Sequence, residues 1–186
     1  MAAGATMARR TGATANMALL LLATLLINSD QNLLAPNLSQ AAQDLGVETT
    51  ELGGSLAFGL FVVGAPAAIF IGAAADGALG PSHTRVSILS AVLAIGGAGC
   101  GLSALARTHT HLFYARALTG VSLAGGLPLT FSIVGDMYDA DQRTKISGRV
   151  GLAMNAGVVG GQLLAGVAGP SLSWRAPFAM ISAAML

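Results

Sequence analysis

The chain has 186 residues, of which 54% are hydrophobic and 9% charged, with mean hydropathy +0.71. Soluble domains carry about 25% charged residues, so an ordinary water-soluble protein is excluded. Nine Lys and Arg against eight Asp and Glu leave a net charge of +1, and no basic stripe exists to hold a nucleic acid.

A bilayer core of about 30 Å takes roughly 20 apolar residues per helix, so this length holds about six spans. Residues 1–16 are mostly Ala, Gly and Thr, with Arg9 and Arg10 and no acid. They are expected to form a flexible cytosolic tail. The apolar run that follows is the length of a signal peptide, but Asn28 to Asn32 stand where small residues would mark a cleavage site. An organelle transit sequence stays open, although the tail is short and poor in serine.

Residues 17–186 are expected to form a transmembrane helical bundle. Apolar windows place spans over residues 17–41, 52–75, 86–106, 112–135 and 146–169. A sixth starts at Trp174 and stops at Leu186. At 1.5 Å rise its residues cover only about 20 Å, so the sixth helix is expected to be incomplete and the chain a fragment. Short connections predict a compact bundle with no room for a soluble domain.

Sorting the basic residues by side gives Arg9, Arg10, Arg85, Arg143, Lys145 and Arg149 on the tail's side and Arg107, Arg116 and Arg175 opposite. By the positive-inside rule the N-terminus is cytosolic. The loop holding Asp44, Glu48 and Glu51 has no basic residue, which suits the outer face.

Polar residues inside the spans are the functional candidates. Asp30 lies within the first span, where a carboxylate costs about 2.5 to 3.5 kcal/mol on insertion scales and usually faces a cavity or a partner. A structural carboxylate held by backbone groups is the alternative. Asn37, seven residues on, shares its face of a continuous helix, and Pro36 between them is expected to kink that helix. Arg116, one turn inside the fourth span, sits at nearly the same depth as Asp30, unless it snorkels to the outer headgroups. Opposite charges at one depth would respond to a proton or an anionic substrate. Asp76, Asp136 and Arg143 at the cytoplasmic ends are expected either to form an ionic latch or to be solvated loop charge.

Gly157, Gly160, Gly161 and Gly166 on the fifth span, and Gly59 with Gly64 on the second, are read as seams for close helix contact. Cys100 is a single cysteine with no partner at metal-ligand spacing and reads as apolar filler. The segment from Gly120 to Gly125 holds Ser122, but Ala124 breaks the nucleophile-elbow pattern, so serine catalysis is not expected. The Asn37-Leu-Ser39 sequon lies in or against the membrane, where it is expected to be unused. No catalytic residue, metal site or cofactor is expected.

These residues have a familiar order. Asn28-Ser-Asp30-Gln-Asn-Leu-Leu-Ala-Pro36-Asn-Leu38 resembles the first-helix signature of the Spinster-like branch of the major facilitator superfamily, with Gln31 in place of the arginine usual after the aspartate. Gly72-Ala-Ala-Ala-Asp76 resembles the opening of that superfamily's loop between helices two and three, with Gly77 and Leu79 replacing its basic residue and glycine and Arg85 as the late positive charge. Arg116-Ala-Leu-Thr-Gly120 resembles its fourth-helix Arg-x-x-x-Gly motif. Asp136 with Arg143 resembles the acid and base that follow that helix, and Trp174-Arg-Ala-Pro-Phe178 resembles the start of helix six.

The resemblance implies an all-α membrane protein, the N-terminal six-helix bundle of a twelve-helix carrier with alternating access, its sixth helix incomplete and its C-terminal half missing. It assigns Asp30, Arg116 and Asn37 to substrate or proton coupling, and Gly72, Asp76, Asp136 and Arg143 to a cytoplasmic gate. Gly120, Gly157, Gly160 and Gly161 serve helix packing. The expected partners are the bilayer and a small-molecule or lipid-like organic anion moved with a proton or ion. A truncated membrane protein acting as an interaction or regulatory partner is the alternative, and an intramembrane enzyme using Ser122 the third.

Overall fold

A computed structural model describes residues 2–77 and 84–186, with side chains from Asn16 onward. Over the described residues the chain is all helical: α1 (Ala2–Gln31), a 3-10 turn (Ala35–Asn37), α2 (Leu38–Leu45), α3 (Thr49–Ala75), α4 (Arg85–Ala104), α5 (His109–Met137), α6 (Ala140–Ser171) and α7 (Ala176–Met185). Five segments are long and apolar enough to cross a membrane, and α7 is a shorter apolar helix.

Four boundaries differ from the sequence expectation. The segment expected as a tail is already helical in backbone from Ala2, consistent with its alanine content. The side chains of Arg9 and Arg10, and Leu79 in the α3–α4 connection, lie outside the described residues. The first span is interrupted: α1 stops at Gln31 and α2 resumes at Leu38. Pro36 has no N–H to donate to the Asn32 carbonyl four residues back, and its ring clashes with that carbonyl, so the helix ends just before Asn32. Where they meet, α5 and α6 run on past the apolar windows until only Tyr138 and Asp139 separate them, because charged residues such as Arg143 and Lys145 continue a helix readily in water.

Helix α5 is central, packing on α3, α4 and α1, while α1 also packs on α6 and α4 on α7. Two apolar clusters sit at opposite ends, one around Leu33, Leu52, Leu112 and Trp174, the other around Leu20, Val92, Ile133 and Val150. A smaller group of Leu26, Ile27 and Met185 lies in a third cluster.

Close approach depends on glycine at particular positions. A Cβ on Gly120 would strike the backbone of Leu60, and one on Gly64 would press the Gly120 carbonyl, so α3 and α5 touch backbone to backbone. A Cβ on Gly157 would meet the Leu25 carbonyl and one on Gly161 the Ser29 carbonyl, which makes the α1–α6 seam. Gly160 and Gly166 have nothing within 4 Å and are not part of that seam. Residues four apart share a helix face, whereas Gly160 is turned by about 100° from Gly161.

Candidate functional site

The break in the first span positions the site. Asp30 and Gln31 are the last residues of α1, where helix carbonyls lose their partners and the dipole favours a cation. Arg116, two turns into α5, supplies that cation. Its NH1 donates to Asp30 Oδ1 at 2.7 Å, and the side chains are 2% and 0% exposed. Arg116 is therefore paired within the bundle and does not snorkel to the outer surface.

Gln31 completes the arrangement. Arg116 NH2 donates to Gln31 Oε1 at 3.2 Å, and Gln31 Nε2 donates to Asp30 Oδ2 at 3.0 Å. Carboxylate, guanidinium and amide thus close a ring in which both carboxylate oxygens are used. The guanidinium carbon lies 5.5 Å from the centroid of the Phe178 ring on α7. The Cys100 thiol on α4 donates to the Phe178 carbonyl at 3.3 Å and stands next to Asp30. A buried ion pair is net neutral, and each member would be costly alone: removing one partner of such a pair costs about 3 to 5 kcal/mol.

Of the three side chains in the ring, only Gln31 is partly exposed. Gln31 and its neighbour Asn32 are partly exposed, and Gln162 Nε2 on α6 donates to Asn32 Oδ1 at 3.3 Å. Amides thus flank the mouth above a fully buried pair. A cavity of about 430 Å³ lies elsewhere, between α1, α4, α5 and the end of α7, and is lined by apolar residues such as Leu19, Leu22, Leu89 and Leu93.

Asn37 is not beside Asp30. Its Nδ2 donates to the Ala165 carbonyl on α6 at 2.8 Å, and it fills the space over Gly169. The expected shared face required a continuous helix, and the break after Gln31 removes it.

At the end of the bundle where α3 and α5 finish and α4 begins, the cation is Arg85. It pairs with Asp136, and its NH2 is 3.9 Å from Asp76 Oδ1, so one side chain at the start of α4 reaches the ends of α3 and α5. Arg143 does not pair with Asp136. Its Nε donates to the Tyr138 carbonyl at 2.9 Å and its NH2 to the Gly135 carbonyl at 2.7 Å, capping the C-terminal end of α5. Gly72 takes no part in the bridge beyond accepting the Asp76 N–H at 3.0 Å.

The opposite end of the bundle holds a cluster that the candidate residues did not include. Arg175 NH1 donates to Asp44 Oδ2 at 2.6 Å, and its Nε and NH2 donate to the Ala106 carbonyl at 2.9 and 2.7 Å. Its guanidinium stacks 4.3 Å from the Trp174 ring centroid, and Trp174 Nε1 donates to the same Asp44 oxygen at 3.2 Å. The signal was present in the sequence: the stretch from Asp44 to Glu51 has no basic residue, and Arg175 is expected on the same side.

Ser122 offers no nucleophile. It is fully buried, and its Oγ donates to the Thr119 carbonyl at 2.8 Å.

The family model described as Major Facilitator Superfamily matches residues 20–186. Over 81 residues the chain is 35% identical to Multidrug resistance protein 3 of Bacillus subtilis (strain 168), a stretch that is 44% of this chain and 15% of that relative. The chain therefore covers far less than two thirds of the curated relative it matches. Both likenesses are to transporters rather than enzymes.

Proposed function

The chain belongs to the Major Facilitator Superfamily, and from that premise we propose that it works as part of a secondary transporter moving its substrate by alternating access. The observation that carries the reading is the Asp30–Arg116 pair, buried at the broken end of α1 beside the partly exposed Gln31. An intramembrane carboxylate paired with a guanidinium responds to proton or anion because either one changes the charge that the other must balance.

The finer reading is a Spinster-like carrier of a lipid-like or organic anion, proton- or ion-coupled, with a cytosolic N-terminus. It is supported by the segment from Asn28 to Leu38 and by the distribution of basic residues. In this reading Arg85 with Asp76 and Asp136 acts as the cytoplasmic gate. A second six-helix half seats against α3 and α6, which expose Phe58, Phe61, Phe70, Leu163 and Val167.

The test is proton-driven uptake of a fatty-acid anion by cells or vesicles carrying the full chain, wild type against Asp30→Asn. Loss of uptake with normal membrane insertion is expected. Unchanged pH-dependent uptake in the variant overturns the assignment of Asp30.

A further inference from the structure

We propose that Gln31 is a built-in stand-in for the substrate's polar head, displaced when substrate binds, and that the head is a planar O=C–X–H group. The inference rests on the reading of Asp30 and Arg116 as the binding site and adds which chemistry that site accepts.

The hydrogen-bond complement carries the argument. The Gln31 amide presents one acceptor to Arg116 NH2 and one donor to Asp30 Oδ2, on a single trigonal carbon. Asp30 and Arg116 are fully buried, whereas Gln31 alone of the three is partly exposed and can swing outward from the end of α1. A ligand entering from that side must replace both bonds, since an unsatisfied buried charge costs more than an unsatisfied neutral group. Two heads do so without altering the pair: a carboxamide, or a carboxylic acid, which is a carboxylate with one added proton. In the second case the C=O accepts from Arg116 and the O–H donates to Asp30. Anion and proton then enter together and the site stays neutral, as burial requires. A bare carboxylate has two acceptors and no donor, and would face Asp30 with like charge.

Few other groups can take part in titration. Facing Asp30 are Arg116 from α5 and Cys100 from α4. Residues 150–171 of α6 and 176–186 of α7 contain no Asp, Glu, His, Lys, Arg, Cys or Tyr. Of the other titratable residues of α5, Tyr114 is 68% exposed, and His109, His111 and Asp136 lie at the two ends of the helix.

The experiment titrates hexanoate and hexanamide onto the full chain in lipid nanodiscs, read by fluorescence of Trp174, the only tryptophan, whose ring is 6.3 Å from that of Phe178. Hexanamide is expected to bind independently of pH, and hexanoate to tighten about tenfold per pH unit lowered through the neutral range, as uptake of one proton requires. Binding of hexanamide alone assigns a carboxamide source, and acid-dependent binding of hexanoate alone a carboxylate source. Binding of neither, or binding of hexanoate that is independent of pH, overturns the proposal.

Gln31→Met, similar in volume but without the amide, is expected to bind both probes more tightly because the internal competitor is gone. Gln31→Ala gives a second reading. Unchanged or weaker binding in folded Gln31→Met overturns the stand-in role. If Asp30→Asn still abolishes the probe response in that event, the site reading survives while the role of Gln31 falls. If Asp30→Asn leaves the response intact, the site reading falls as well.

Discussion

Asp30 and Arg116 are 86 positions apart in the chain, yet Arg116 NH1 lies 2.7 Å from Asp30 Oδ1, with both side chains removed from solvent. Each ion is tolerated because the other is there. Asp30→Asn or Arg116→Gln alone is expected to lower stability by about 3 to 5 kcal/mol, whereas the double variant loses much less than the sum. Equilibrium unfolding in detergent micelles checks this, and additive losses would mean that the two charges are independently solvated.

The α1–α6 seam predicts a sharp contrast between adjacent glycines. Gly161→Leu drives a side chain into the Ser29 backbone and is expected to separate the helices, with a large loss of melting temperature. Gly160→Leu has open space and is expected to leave the melt within a degree or two, about the scale of a surface change. Equal effects would place the seam elsewhere.

A double-mutant cycle between Arg85→Ala and Asp136→Ala is expected to show coupling, while the cycle between Arg143→Ala and Asp136→Ala is expected to show none. Thermal unfolding at low and high salt reads both cycles. Raising salt should shrink the first, because these side chains are partly exposed. Coupling through Arg143 instead would restore the pairing expected from the sequence.

At the opposite end of the bundle, Arg175→Lys is expected to fail as a replacement for arginine. One ammonium cannot hold Asp44, donate twice to the Ala106 carbonyl and stack flat on Trp174. The readout is quenching of Trp174 fluorescence by aqueous iodide. Both Arg175→Lys and Arg175→Ala should expose the ring, 2% exposed in the native bundle, and a lysine variant as protected as wild type would contradict the clamp.

The missed and misassigned residues share one cause. Asn37 and Asp30 were placed on one face by counting residues along a helix, and the Pro36 break invalidated the count. Arg143 and Asp136 were joined because both follow the fourth span, yet Arg143 folds back on carbonyls of the Gly135 to Tyr138 turn and leaves Asp136 to Arg85 from α4. Cys100 read as filler because no Cys or His stands at metal-ligand spacing from it, and only the packing of α4 against α1 sets it beside Asp30.

Sequence alone determined the number, order and approximate limits of the spans, because a bilayer forces each into a long apolar window and makes every polar exception visible. It also marked Asp30 and Arg116 as exceptions, since charge within such a window needs a reason. Only the tertiary structure decided which acid meets which base, which glycine touches a neighbouring backbone, and that Gln31 bridges the central pair. Those choices depend on how each helix is rotated and where it breaks. A shift of one residue turns a side chain by about 100°, so partners far apart in the chain are set by packing and not by spacing.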